Sequence, residues 1–171
     1  MNFRICISLF LVCCLLSPVM AQRDKNKQKE VTVKAMTYNT YSGRKQGIDK
    51  IAEVIKQEDP DIVSLQEIER NTEINPWNTP ERLSVLTGMK YYYFAHALDI
   101  PTGGDYGNVI LSKFPISEEK SFKLSVLKEN DYVRSFGYVK VMKEGKEFYF
   151  ATTHLDHKYE DATLSLIHIS E

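Results

Sequence analysis

Beyond residue 14 the chain has no cysteine; Cys6, Cys13 and Cys14 are the three it carries. All three lie in an apolar N-terminal stretch. The part that follows therefore has no disulfide and no cysteine-bound metal, and packing must stabilise it. A basic surplus is lacking too. The 171 residues include 22 basic and 23 acidic side chains, and without the N-terminal segment that holds Arg4 the balance is 21 to 23, a net charge of −2. A protein that grips long nucleic acid by its phosphates ordinarily carries excess Lys and Arg. The charge thus speaks mildly against polymeric nucleic acid, which stays possible as a partner, and says nothing against a small phosphodiester. No apolar run reaches the roughly 20 residues a bilayer-spanning helix needs. There is no internal repeat and no low-complexity tract.

What is present at the N-terminus is a short basic start at Arg4, an apolar run from Ile5 to Leu16, Pro18, and small residues around Val19-Met20-Ala21. That order is a secretory signal with cleavage expected after Ala21. A lipoprotein signal on Cys13 or Cys14 fits less well, because Val12 stands where a small residue is wanted. The protein is expected to be exported, periplasmic or secreted, with no transmembrane segment in the mature chain. Gln22 to Glu30 is polar, with four Lys or Arg, and reads as a solvated linker. The remainder has the composition of a soluble globular domain, with 43% hydrophobic and 26% charged residues overall, and is long enough for one core.

From Val31 the pattern is regular. Val31, Val33 and Ala35 alternate with Thr32 and Lys34, which predicts a strand running to a loop at Tyr38–Gly43. Ile48, Ile51, Ala52 and Ile55 share one helical face, and Pro60 closes that segment. Asp61 to Glu67 predicts a short buried strand. Thr79-Pro80 predicts a helix start with Thr79 as N-cap, Leu83 and Leu86 inward and Gly88 at the C-cap. Tyr91–Ala95 and Val109–Leu111 read as strands separated by a Pro101–Asp105 loop. Strands near Phe122–Leu127, Ser135–Met142 and Glu147–Thr153 follow, the last two joined by a Glu144-Gly145 turn. This is an α/β layered fold with largely antiparallel strands.

Three strand ends carry polar groups that a strand does not require: Asn39, the pair Gln66-Glu67, and His154. Strand ends gathered at one sheet edge are where sites form, since the sheet fixes geometry and the loops admit substrate. Four segments then match a known pattern in order: Met36-Thr37-Tyr38-Asn39, Asp59–Glu67 (DPDIVSLQE), Tyr106–Ile116 (YGNVILSKFPI) and Thr153-His154-Leu155. Across Val31 to His157 the chain resembles the endonuclease/exonuclease/phosphatase family of DNase-I-like phosphodiester hydrolases.

The resemblance implies part of a four-layered α/β sandwich and hydrolysis of a phosphodiester or phosphomonoester, with Mg²⁺, or Mn²⁺, as cofactor. Such an ion wants oxygen ligands and neutralises phosphate charge. Glu67 is the implied metal ligand. Asn39 and His154 are the implied catalytic groups, His154 against the scissile phosphate. Arg134, Tyr106 and Asn108 are the implied substrate-binding residues. Without the motif around it, Glu67 would read as a solvated strand-end carboxylate, Asn39 as a loop residue and His154 as a buried backbone-bonded histidine. Spacing alone would also allow a His154/His157 zinc pair, but a strand precedes them and no third ligand is evident. His96 reads as structural; Asp156 has no role assigned.

The family's C-terminal motifs, which supply further aspartates and a catalytic histidine, do not occur, and a C-terminal portion is expected to be missing. Leu164 to Glu171 (LSLIHISE) coincides with the translation of a transposase adapter used for sequencing libraries, and is expected to be adapter sequence rather than a genuine apolar strand or helix end. The natural frame is accordingly expected to continue past about Thr163, and His168 is not read as catalytic. The implied hydrolysis is expected of the completed protein, and this chain by itself is expected to be inactive. Two alternatives to an enzyme follow: a non-catalytic truncated fragment, or a pseudoenzyme that binds a phosphate-containing ligand. The joint presence of Asn39, Glu67 and His154 argues against the second. Which phosphoester is cleaved, and the oligomeric state, are not written in the sequence.

Overall fold

The computed structural model describes residues 30–124 and 132–155. The signal segment, residues 22–29 of the linker, the end of the strand expected at Phe122–Leu127, Asp156, His157, His168 and the 164–171 tail lie outside the described residues. The elements are β1 (Ala35–Asn39), a 3-10 turn (Tyr41–Gly43), α1 (Gly47–Glu58), β2 (Ile62–Arg70), α2 (Thr79–Thr87), β3 (Tyr91–Asp99), β4 (Asp105–Ser112), β5 (Ile116–Lys123), β6 (Ser135–Lys143) and β7 (Lys146–Thr153). They form two sheets, ordered β1-β2-β4-β3 and β5-β6-β7. Among the described residues only β1 and β2 pair in parallel, joined through α1, and the other pairings are antiparallel. The predicted α/β architecture is what folds. Among the described residues no helix is long and apolar enough to cross a membrane.

The first sheet is buried on both faces. On one side α1 lays Ile48, Ile51, Ala52 and Ile55 against Val63 and Leu65 of β2 and Val109 and Leu111 of β4, with Leu83 from α2. These are the i, i+3, i+4, i+7 positions of one helical stripe. Each buried Ile contributes about 1.5–3 kcal/mol. On the other side Ile62 and Ile110 meet Val139 and Val141 of β6. Helices, first sheet and second sheet thus stack as three layers. The two sheets approach closely at Gly137, where an added Cβ would lie 2.5 Å from Ala95 Cβ.

Several boundaries differ from those expected. Val31 to Lys34 is not strand; β1 begins at Ala35, and Lys34 N–H donates instead to the Asp61 carboxylate at 2.9 Å. Tyr41–Gly43 is a 3-10 turn, not an open loop. The N-cap of α2 is Asn78, not Thr79, because the Thr79 hydroxyl donates to Glu69 O at 2.6 Å. Gly88 does close α2, at φ 76, where a side chain would be strained. Glu144 and Gly145 both have positive φ, as the tight hairpin between β6 and β7 requires.

β4 and β5 begin earlier than expected, at Asp105 and Ile116, and the departure that shapes the site is in β2, which runs past Glu67 to Arg70. Leu65 pairs with Val109 but Ile68 with Gly107, so three steps on β2 match two on β4. That extra residue is a β-bulge, and Glu67 sits in it at φ 59. Val63, Leu65 and Ile68 all face the helices. In an unbroken strand Glu67 would share their face and be driven into the helical core. The bulge shifts the alternation by one residue and releases it.

Candidate active site

Beside this bulge lies a cavity of about 420 Å³. Glu67, Tyr106, Arg134 and His154 line it, from β2, β4, the approach to β6 and the end of β7. Both sheets therefore supply walls. Asn39, at the end of β1, stands behind Glu67: its Nδ2 donates to Glu67 Oε1 at 2.9 Å, and its own Oδ1 accepts from Tyr41 N at 3.0 Å. The amide is locked by its neighbour and holds the carboxylate in turn.

His154 is the hub. Its Nε2 lies 3.8 Å from Glu67 Oε1. Arg134 Nη1 donates to its Nδ1 at 3.3 Å, and the Tyr106 hydroxyl approaches the same nitrogen at 3.5 Å. A guanidinium has only donors. Nδ1 must therefore accept, and a neutral His154 carries its proton on Nε2, on the Glu67 side. Burial, with the Glu67 charge adding to it and Arg134 opposing, pushes the Tyr106 phenol up to about 12. It stays a protonated donor across the physiological range.

The sixth sequence-singled residue is elsewhere. Asn108 is 2% exposed. Its Nδ2 donates to Ser135 O at 3.2 Å, and Ser135 Oγ donates to Ala95 O at 2.9 Å. It is a clasp between the sheets and does not line the cavity, so the expectation of direct substrate contact does not fit its position. His96 is tied to Asp99 at 3.0 Å and stacks edge-on near Phe94, a structural setting. Gln66, next to Glu67 in sequence, points away from it: Nε2 donates to Ser64 Oγ at 2.7 Å, and Ser64 donates to Thr152 Oγ1 at 2.6 Å across the sheets.

Sequence reasoning missed Ser42, Arg44, Glu69 and Tyr132 and the apolar wall of Leu98, Ile100 and Pro101, which also line the cavity. Glu69 had a usable signal. The apolar positions Val63, Leu65 and Ile68 slip out of period two, and correcting for that slip turns Glu69 toward Glu67. Arg44, in a turn, had none.

The fold and this cluster lead to one family. A model of the Endonuclease/Exonuclease/phosphatase family matches residues 36–162. The chain belongs to that family. Its members are divalent-metal-dependent hydrolases of phosphoester bonds, nucleases and phosphatases among them. The chain is similar to an endonuclease/exonuclease/phosphatase from Beutenbergia cavernae, at 24% identity and TM-score 0.68 over 81% of this chain and 44% of that one. It is similar to beta toxin from Staphylococcus aureus, a double mutant with bound magnesium ions, at 22% identity and TM-score 0.55, covering 76% and 51%. It is also similar to D. rerio TDP2 complexed with a single-strand DNA product, at 17% identity and TM-score 0.51, covering 79% and 52%. The chain thus spans about half the length of these structures. No curated protein matches the sequence.

The donor chemistry in this endonuclease/exonuclease/phosphatase chain suits a hard divalent ion. Glu67 lines the cavity and accepts from Asn39 through Oε1, and among the described residues no hydrogen bond engages its Oε2. Among the described residues no three His, Cys, Asp or Glu gather to hold a metal. The second carboxylate, Glu69, is committed to Arg44 and Thr72. A single carboxylate still suffices for Mg²⁺, which keeps several waters and is bound by one or two carboxylates plus substrate phosphate.

Proposed function

We propose that the protein is an exported, divalent-metal-dependent hydrolase of a phosphodiester or phosphomonoester, with Glu67 holding Mg²⁺ or Mn²⁺. The observation that carries this reading is the convergence of Glu67, Arg134 and Tyr106 on one histidine, His154, in a single cavity. The ion, when bound, supplies charge neutralisation of a phosphate oxygen and an acidified water.

The chain's own residues do the rest. Arg134 offers a planar fork of donors matched to a phosphate edge. Tyr106 donates its hydroxyl to the same group. His154 presents an Nε2 proton to the oxygen on which charge builds, so it steadies the transition state more than the substrate. Asn39 fixes the rotamer of Glu67, and the Leu98–Pro101 wall excludes water from one side. A second reading, phosphate binding without turnover, is favoured by the single carboxylate open to a metal among the described residues.

Hydrolysis of bis(4-nitrophenyl) phosphate with Mg²⁺, and with EDTA in its place, by the chain extended to the full length of its structural relatives tests the first reading. Release of nitrophenol that EDTA abolishes and that Glu67→Ala or His154→Ala lowers at least about 100-fold is expected. Full activity in Glu67→Ala would remove the metal-ligand assignment. Calorimetric phosphate binding with no turnover would favour the second reading.

A further inference from the structure

Two cavity residues have no part in the chemistry just described. Arg44 leaves the 3-10 turn after β1, and Glu69 lies two residues beyond Glu67. Arg44 Nη2 donates to Glu69 Oε1 at 2.6 Å, and Thr72 Oγ1 donates to Glu69 Oε2 at 3.0 Å. The Glu69 side chain is 6% exposed while that of Arg44 is 46% exposed. A carboxylate is costly to bury, and the pair stabilises little that an apolar pair would not. The surroundings nevertheless commit several bonds to it. Thr72 Oγ1 also accepts from Asn75 N at 3.0 Å, and Asn75 Nδ2 donates to Ser42 O at 3.0 Å, two residues before Arg44. Thr79 Oγ1 donates to Glu69 O. The loop between β2 and α2 is thus organised around Glu69, and its effect is to hold one guanidinium at the cavity.

Glu69 uses one nitrogen of that guanidinium. A guanidinium has five N–H donors in a rigid plane. Pinning the guanidinium removes rotamer entropy that would otherwise oppose a new contact, which favours a second anion on the donors that Glu69 does not use. Resting on the phosphoester reading above, we propose that Arg44 is a substrate-binding arginine that takes a second anionic group next to the reacting phosphate, with Glu69 as its positioning residue. The substrate class is then a phosphoester carrying a neighbouring phosphate. A nucleic-acid backbone and a bisphosphorylated small molecule share that chemistry.

The test is isothermal titration of the full chain, with Mg²⁺, against two pairs of probes: thymidine 5′-phosphate with thymidine 3′,5′-bisphosphate, and inositol 1-phosphate with inositol 1,4-bisphosphate. In the wild type at least one bisphosphate binds 10-fold or more tighter than its monophosphate. Gain in the nucleoside pair points to a nucleic-acid source, and gain in the inositol pair to a small molecule. Arg44→Gln brings that ratio below 3 and leaves monophosphate affinity within 3-fold, whereas Arg134→Gln weakens both members alike. Glu69→Gln lowers the ratio part-way, a readout that a purely structural role would not move. Arg44→Lys, which keeps the charge and the fold, retains an intermediate ratio. A wild-type ratio near 1 in both pairs, with monophosphate binding still sensitive to Arg134→Gln, overturns the role of Arg44 and leaves the phosphoester reading standing. No binding of any probe overturns that reading and this inference together.

Discussion

Replacing Glu67 by glycine is expected to give a more stable protein than replacing it by alanine, the reverse of the usual order in a strand. Glu67 sits at φ 59 in the bulge of β2. A left-handed backbone costs an L-residue about 1–2 kcal/mol, because Cβ crowds the following carbonyl. Alanine keeps that cost and glycine does not. Against this, glycine loses roughly 0.5–1 kcal/mol more conformational entropy on folding. The difference leaves Glu67→Gly about 0.5–1 kcal/mol more stable than Glu67→Ala. Glu119 on β5 is an exposed strand position with no positive φ and provides the control. There Glu119→Gly should fall below Glu119→Ala by about 0.5–1 kcal/mol. Urea unfolding followed by the fluorescence of Trp77, the single tryptophan, reads both pairs. Both Glu67 variants lack the carboxylate, so neither should hydrolyse the diester. The same sign of the glycine–alanine difference at both positions would refute the claim that the bulge stores strain to aim Glu67.

Three further outcomes are expected. Burial raises the Asp61 carboxyl, but hydrogen bonds from Lys143 and Lys34 N outweigh it and hold its pKa below the ordinary 3.8. A depressed carboxylate contributes stability that is present above its unfolded pKa and lost as pH falls through the folded one. The gap between wild type and Asp61→Asn, about 1–3 kcal/mol for a charge-assisted bond, should therefore stay flat from neutral pH to about 5 and shrink only below 3.8; urea midpoints across pH check this. Tyr106→Phe should lower the hydrolysis rate by a constant factor of about 10 from pH 7 to 10, since a phenol with pKa about 12 does not titrate in that window; a wild-type alkaline loss that vanishes in the variant would contradict it. Asn108→Ala should cost about 0.5–1.5 kcal/mol in urea unfolding by removing its bonds to Ser135 O and Oγ, since Thr153 Oγ1 still donates to Ser135 O, whereas a raised KM with unchanged stability would restore it to substrate contact.

The elements that sequence placed well are those whose period is carried by apolar residues. The α1 stripe and the hydrophobic runs of β2 and β4 point at a packed layer, and packing decides their position. The parts that sequence placed badly are decided by polar bonds formed across the chain. Val31 and Val33 alternate like a strand, yet the Lys34–Asp61 bond takes the backbone donor that a longer β1 would have used. Thr79 has the residue type of an N-cap, yet its hydroxyl is drawn to Glu69 O ten residues back. The four motifs carry Asn39, Glu67, Tyr106 and His154 to one place, and the family resemblance adds Arg134, which lies in none of them. Asn108 belongs to the same motif as Tyr106 but faces the sheet interface, where the clasp with Ser135 engages it.

That clasp bears on how the site is assembled. Glu67 and Tyr106 ride on the first sheet, Arg134 and His154 on the second. The apolar contacts between the sheets, Ile62 and Ile110 against Val139 and Val141, are non-directional and would tolerate small slides. A slide of about 1 Å would separate Glu67 from His154 enough to damage catalysis. The directional bonds Ser64–Thr152, Asn108–Ser135 and Ser135–Ala95 sit in the same interface, and each joins groups that are otherwise buried from water. Breaking one leaves a buried polar atom unpaired, which costs more than the bond's net worth. Their directionality thus selects one register of the two sheets, in addition to what they contribute to stability. The Ser64–Thr152 bond lies one residue from Thr153 and two from His154, so Ser64→Ala should lower kcat several-fold while shifting the urea midpoint less than a core truncation such as Ile110→Ala, which typically removes about 2–5 kcal/mol. Equal loss of stability in the two variants, with kcat untouched in Ser64→Ala, would show that packing alone holds the two halves of the site in register.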